Sequence, residues 1–143
     1  MATQSDKPIE QCPVVTPTLE KKKFTFNEQL NTEFLKSSYS DNLEFGEKMF
    51  GLFLTTVSED VADLKTFVAE MNYESTRALA HKIKNNFTWV GLPMLSSIMY
   101  KIENSAADKN QDLTVLFSEM QIQFEKYLPT IKAEHKRLAE YLK

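Results

Sequence analysis

Residues 72–93, NYESTRALAHKIKNNFTWVGLP, hold a complete helix with both ends marked. Asn72 is suited to cap the N-terminus by accepting a free backbone N–H of the first turn. Gly91 suits the left-handed stop that follows a helix, and Pro93 the first turn of the next one, where a missing N–H costs nothing. Each residue between them advances about 100° around the axis, so with Ile83 at the centre of the apolar face, Thr76, Leu79, Ala80, Phe87 and Val90 fall within roughly 60° of it. The spacing predicts a helix from about Tyr73 to Val90. His81 falls roughly 160° from Ile83 and faces solvent. Arg77, Lys84, Asn85 and Thr88 share its face, because residues three and four apart stack along a helix.

The same periodicity organises the flanking sequence. A first short helix is expected over Glu28 to Ser37, with Leu30 and Phe34 one turn apart. Asp41 is expected to cap a long helix whose stripe Phe50, Phe53, Val57, Val61, Leu64, Val68 and Met71 keeps spacings of three and four. After Pro93 comes a helix to about Ala106, with Leu95, Ile98 and Ile102 inward. A polar loop at Asp108 to Gln111 leads to a last helix, carrying Leu113, Leu116, Met120, Phe124, Tyr127, Ile131, Leu138 and Leu142 at helical spacing. Pro129 inside it removes one backbone hydrogen bond and should bend it. Four long amphipathic helices with short loops predict an all-α fold, an antiparallel four-helix bundle with a short additional N-terminal helix across one end. Residues 24–143 form this domain. Residues 1–23, with Pro8, Pro13 and Pro17 among polar side chains and no period, are expected to be a flexible tail, and Lys21-Lys22-Lys23 a solvated linker end.

Composition narrows the function. Three glycines and five prolines in 143 residues favour helices over turn-rich sheet. A net charge of −3 gives no global attraction to nucleic acid or an anionic membrane, whereas Arg77, Lys82 and Lys84 gather cations around His81. That contrast fits a small anion held at one spot. Cys12 is the single cysteine, which excludes an intrachain disulfide and disfavours a cysteine metal site. The N-terminus has no apolar secretory core, and no apolar run reaches the roughly 20 residues that span a bilayer, so a soluble cytoplasmic protein is expected. Gly46, Gly51 and Gly91 are isolated, so no phosphate-cradling loop for ATP is present. The chain is not expected to label itself from ATP.

The chemistry of His81 follows from its neighbours. A neutral imidazole is a good nucleophile near pH 7. Adjacent cations such as Lys84 and Arg77 disfavour the protonated ring and stabilise phosphoryl charge. His135 continues the stripe from Ile131 to Leu138, and packing is its expected role. Phe87 and Trp89 are likewise read as packing residues.

At Ala80, His81, Lys84 and Gly91 the chain resembles the histidine-containing phosphotransfer (HPt) domains of multistep two-component phosphorelays. Their signature is Ala-His-x-x-Lys on a helix with a glycine ten positions beyond the histidine, and the likeness in helix order runs from about Leu30 to the C-terminus. The resemblance implies that His81 carries a phosphoryl group between aspartates of receiver domains, with Lys84 beside it and no independent kinase activity. It also implies that Glu103, on the next helix, faces the histidine; Arg77, Asn85 and Thr88, placed beside His81 by helical spacing, are the expected supporting residues. The implied partners are response-regulator receiver domains and a hybrid histidine kinase. The receiver brings its own Mg²⁺ and acidic residues, so no cofactor or metal is expected on this chain. The first helix would lie at the histidine end, and receiver docking is assigned to Phe34 or Leu35. A monomer is expected. One departure stands beside the site: Asn85, Asn86 and Phe87 follow the lysine where the family usually has small residues. Asn85 and Asn86 motivate a rival reading, a helical interaction module that binds a receiver or kinase domain without being phosphorylated. A metal- or haem-binding bundle is a more distant rival, since its ligands would have to point inward.

Overall fold

The computed structural model describes residues 24–143, so the expectations for the N-terminal tail, Cys12 and the three lysines fall outside the described residues. Five helices follow in order: α1 (Thr32–Tyr39), α2 (Leu43–Ala69), α3 (Tyr73–Trp89), α4 (Pro93–Ala107) and α5 (Leu113–Tyr141). Among the described residues there is no strand. Helix α2 packs on α3 and α5, and α4 packs on the same two, which closes a four-helix ring. The short connections make chain neighbours antiparallel.

Local chemistry sets the boundaries. Asn72 Oδ1 accepts the Ser75 N–H at 3.2 Å, as its position predicts. The long helix begins one residue later than expected, because Asn42, not Asp41, accepts the Phe45 N–H at 3.1 Å. Helix α1 starts at Thr32 instead of Glu28, because Asn31 accepts the Phe34 N–H and residues 28–30 form a turn. Pro129 leaves α5 continuous; it sits on the exposed side, where water can reach the carbonyl its ring leaves unbonded.

The core follows the stripes, with departures at their ends. Phe50, Phe53, Val57, Val61, Leu64 and Val68 of α2 are buried, but Met71 has left the helix in a left-handed conformation (φ 57°) and is 61 % exposed. On α5, Phe117 is buried while Leu116 and Tyr127 are half-buried and Leu142 is exposed. Phe87 is fully buried between Phe53 and Phe124. Trp89, expected to pack, is 42 % exposed. It stands about 120° from Ile83 on the wheel, outside the apolar face.

Helix α1 lies against the turn between α3 and α4. The Asn31 N–H donates to the Gly91 carbonyl at 2.9 Å, and the Tyr39 hydroxyl donates to the Trp89 carbonyl at 2.9 Å. Burial pushes the Tyr39 phenol up to about 12. Gly91 has φ +78°, and a Cβ there would stand 3.0 Å from Leu35 Cδ1 and 3.1 Å from the Asn31 nitrogen. Glycine thus both stops α3 and lets α1 close onto the turn. This packing corrects one docking candidate, since Leu35 is fully buried and has no surface to offer a partner. Phe34 is half-buried, edge-on to Tyr39 at 6.5 Å.

The lead into α1 is pinned to α5 by a buried carboxylate. Glu134 is fully buried, accepts the Asn27 N–H at 2.8 Å and pairs with Arg137, which also donates to the Thr25 carbonyl and lies over the Phe24 ring. No helix among the described residues is long and apolar enough to cross a membrane.

Candidate functional site

His81 stands at the middle of α3, on the crest of its solvent face, with its side chain 59 % exposed. Its Nδ1 lies 2.9 Å from Glu103 Oε2, and the other carboxylate oxygen accepts from Lys84 Nζ at 3.0 Å. One carboxylate from α4 therefore binds both the histidine and the lysine one turn away. An ionised carboxylate can only accept, so Nδ1 carries a proton, and in the neutral ring the lone pair falls on Nε2. Burial alone would push the Glu103 carboxyl up; hydrogen bonds from Lys84 and His81, and the Lys84 and His81 charges, outweigh it and hold the group below its ordinary 4.5.

Helix α4 presents Glu103 because α3 and α4 form an antiparallel hairpin at Gly91-Leu92. His81 is eleven residues before Leu92 and Glu103 eleven after it, so the two meet across the hairpin. Ser96 meets Thr88 by the same rule, four residues to either side, with their hydroxyls 2.8 Å apart. Both hydroxyls also lie within hydrogen-bond reach of the Lys84 carbonyl, at 3.2 Å for Thr88 and 3.1 Å for Ser96, so that one donates to it while the other donates to its neighbouring hydroxyl. This fixes the backbone under Lys84.

Of the residues singled out from sequence, His81, Lys84 and Glu103 come together. Thr88 is drawn to the α4 side, where it braces Lys84 instead of facing the histidine. Arg77 and Asn85 are exposed and, among the described residues, make no side-chain hydrogen bond or ion pair. Lys84, expected on the solvent face beside His81, has a side chain only 21 % exposed, with Nζ 5.2 Å over the Tyr100 ring. Lys82 is turned away from the histidine and pairs with Asp60 of α2 at 3.2 Å. Phe34, on α1, belongs to the end of the bundle where α3 finishes.

Three participants were missed: Asp60, Ser96 and Tyr100. The hairpin count could have found Ser96, and the same count across Met71 finds Asp60, eleven residues before it as Lys82 is eleven after. His135 packs as expected, half-buried, with Nε2 2.7 Å from Glu47 Oε2. Among the described residues no three His, Cys, Asp or Glu side chains are grouped to hold a metal ion.

The crest that carries His81 has unlike flanks. Between α2 and α3 runs an apolar groove lined by Met49, Leu52, Phe53, Thr56, Lys82, Asn86 and Trp89. Between α3 and α4 a shallower hollow is lined by Lys84, Asn85, Thr88, Ser96, Ser97, Tyr100 and Lys101.

In comparison with known families, a model of the Hpt domain aligns with residues 48–141, spanning α3, α4, α5 and most of α2. No curated protein and no solved structure matches the chain. With the match covering well over half of its length, the chain belongs to the Hpt domain family, the phosphocarrier modules that serve receiver domains and kinases in phosphorelays.

Proposed function

We propose that His81 is the phosphoacceptor of this Hpt domain and relays a phosphoryl group between receiver-domain aspartates. The observation that carries the reading is the contact of Nδ1 with Glu103, which leaves the lone pair of an exposed ring on Nε2. Nε2 attacks the phosphorus of an aspartyl phosphate; the P–O bond breaks as the N–P bond forms, and the electron pair leaves with the aspartate. The proton stays on Nδ1, so the phosphorylated ring is cationic and Glu103 supplies the opposing charge. Transfer onward reverses these steps against the carboxylate of another receiver. Lys84 holds the second oxygen of Glu103 and adds positive charge beside the phosphoryl group.

Arg77 and Asn85 are the exposed neighbours that the incoming receiver meets first, while Thr88 acts through the Lys84 backbone. The chain works as a monomer and needs no cofactor or metal of its own, because the receiver brings Mg²⁺ with its acidic site. The test is phosphoryl transfer from a panel of phosphorylated receiver domains to wild type, His81→Gln and His135→Gln, followed by acid-labile label. Label is expected on wild type and His135→Gln and absent from His81→Gln. Binding of a receiver with no label on any of the three would favour the non-phosphorylated interaction module.

A further inference from the structure

Lys84 reaches Glu103 on a diagonal. Counted from Leu92, the residue opposite Lys84 across the α3/α4 hairpin is Tyr100, eight positions to either side, whereas Glu103 stands opposite His81. The ammonium is therefore carried one helical turn, about 4.5 Å, along α4 to meet the carboxylate. It arrives at 3.0 Å.

A lysine side chain is among the costliest to hold in one conformation. Two features hold this one. The Thr88 and Ser96 hydroxyls brace its backbone carbonyl, and Tyr100 offers the face of its ring, with Nζ 5.2 Å from the centroid. Tyr100 and Glu103 are three residues apart on α4 and share one face, so the ammonium meets the negative side of the ring and the carboxylate together. Lys82 is the internal comparison. It also pairs with a carboxylate, Asp60 at 3.2 Å, but among the described residues no ring lies over it, and its side chain is 59 % exposed against 21 % for Lys84. Tyr100 does not serve the core either: it is 55 % exposed, on the wall of the α3/α4 hollow.

We propose that Tyr100 is a positioning residue for phosphoryl transfer: its ring holds the Lys84 ammonium on Glu103, and through that bond steadies the other carboxylate oxygen on Nδ1 of His81. The role rests on His81 as the phosphoacceptor. Its effect passes through Lys84 and requires the ring, not the hydroxyl.

The experiment compares the full chain with Tyr100→Phe, which keeps the ring, Tyr100→Leu, which keeps bulk without a π-face, Lys84→Met, and the double variant Lys84→Met with Tyr100→Leu. Single-turnover transfer is measured with the fastest receiver domain of the transfer panel, and receiver binding alongside. A cation–π contact at an exposed site corresponds to about two- to fivefold in rate. Tyr100→Leu is expected to slow the transfer step by that factor with binding unchanged, and Tyr100→Phe to transfer at the wild-type rate. In the Lys84→Met background Tyr100→Leu should slow transfer no further. A carboxyl titration followed by NMR on the unphosphorylated protein gives a readout that loss of packing would not move: as its Lys84 bond loosens, Glu103 should titrate at higher pH in Tyr100→Leu than in wild type or Tyr100→Phe. Equal transfer by wild type and Tyr100→Leu, equal slowing by Tyr100→Phe and Tyr100→Leu, or the same slowing by Tyr100→Leu with and without Lys84, would overturn the role of Tyr100 with His81 intact. Absence of label on wild-type His81 from every receiver would overturn the phosphoacceptor reading, and this role with it.

Discussion

Replacing Glu103 by Gln isolates what the carboxylate does for the histidine. The substitution keeps the volume and one carbonyl oxygen but removes the charge, and the new NH₂ faces a lysine or an Nδ1–H that cannot accept from it. Two charge-assisted bonds, at 2.9 Å to His81 and 3.0 Å to Lys84, then compete for one neutral acceptor. A hydrogen bond to a charged group contributes about 1.5–3 kcal/mol. Because the His81 side chain is 59 % exposed, the lower end applies. A loss of about 1.5 kcal/mol, felt as charge develops on the ring, slows transfer roughly tenfold at 1.36 kcal/mol per decade. The assay is single-turnover transfer from a phosphorylated receiver by rapid quench, with receiver binding measured alongside. The slowing should appear in the transfer step and not in binding. Transfer within twofold of wild type would refute the claim that Glu103 stabilises the cationic ring.

The other expectations follow from single contacts. Stability also tests Glu103: its carboxyl is held below 4.5 in the fold, so the contribution is full above that pH and is lost as pH falls through the lowered folded value. The difference in denaturation midpoint between wild type and Glu103→Gln should therefore be present at neutral pH and close on acidification. Lys84→Ala should slow transfer by roughly ten- to a hundredfold, the effect of about 1.5–3 kcal/mol, with unchanged circular dichroism. Gly91→Ala should destabilise by at least about 1–2 kcal/mol in thermal melts, because φ +78° is strained for alanine and its Cβ meets Leu35 at 3.0 Å. Glu134→Ala should cost about 1–3 kcal/mol in urea denaturation by leaving the Asn27 N–H and Arg137 without their acceptor, with transfer unaffected.

How far the sequence could be read depended on whether a signal was local. The ends of α3 and the start of α4 were legible because Asn72, Gly91 and Pro93 act within one turn of themselves. The outward face of His81 was legible for the same reason. Contacts between helices were not: Ile102-Glu103-Asn104 looks like any helix surface, and only the family resemblance pointed to Glu103. The hairpin symmetry about Leu92 carries that information, but only once the turn is known to be tight. Lys82 and Lys84 look equivalent in the sequence and are separated by what faces them, Asp60 for one and Glu103 for the other. The charge around His81 is accordingly more balanced than the cations alone implied. Leu35 and Phe34 show the same limit at α1, since adjacent apolar residues on a short helix do not reveal which one its packing against Gly91 will bury.

One bond decides the phosphoacceptor assignment, that between phosphorus and Nε2 of His81. The direct measurement is ¹H–³¹P correlated NMR of the chain after phosphorylation by a receiver domain, with His81→Gln as the control. A single phosphorus signal coupled to both ring carbon protons, the pattern of phosphate on Nε2, is expected, with no signal in the variant. Phosphate on Nδ1, where the Glu103 contact would have to be broken, or a signal that survives in His81→Gln, would contradict the assignment.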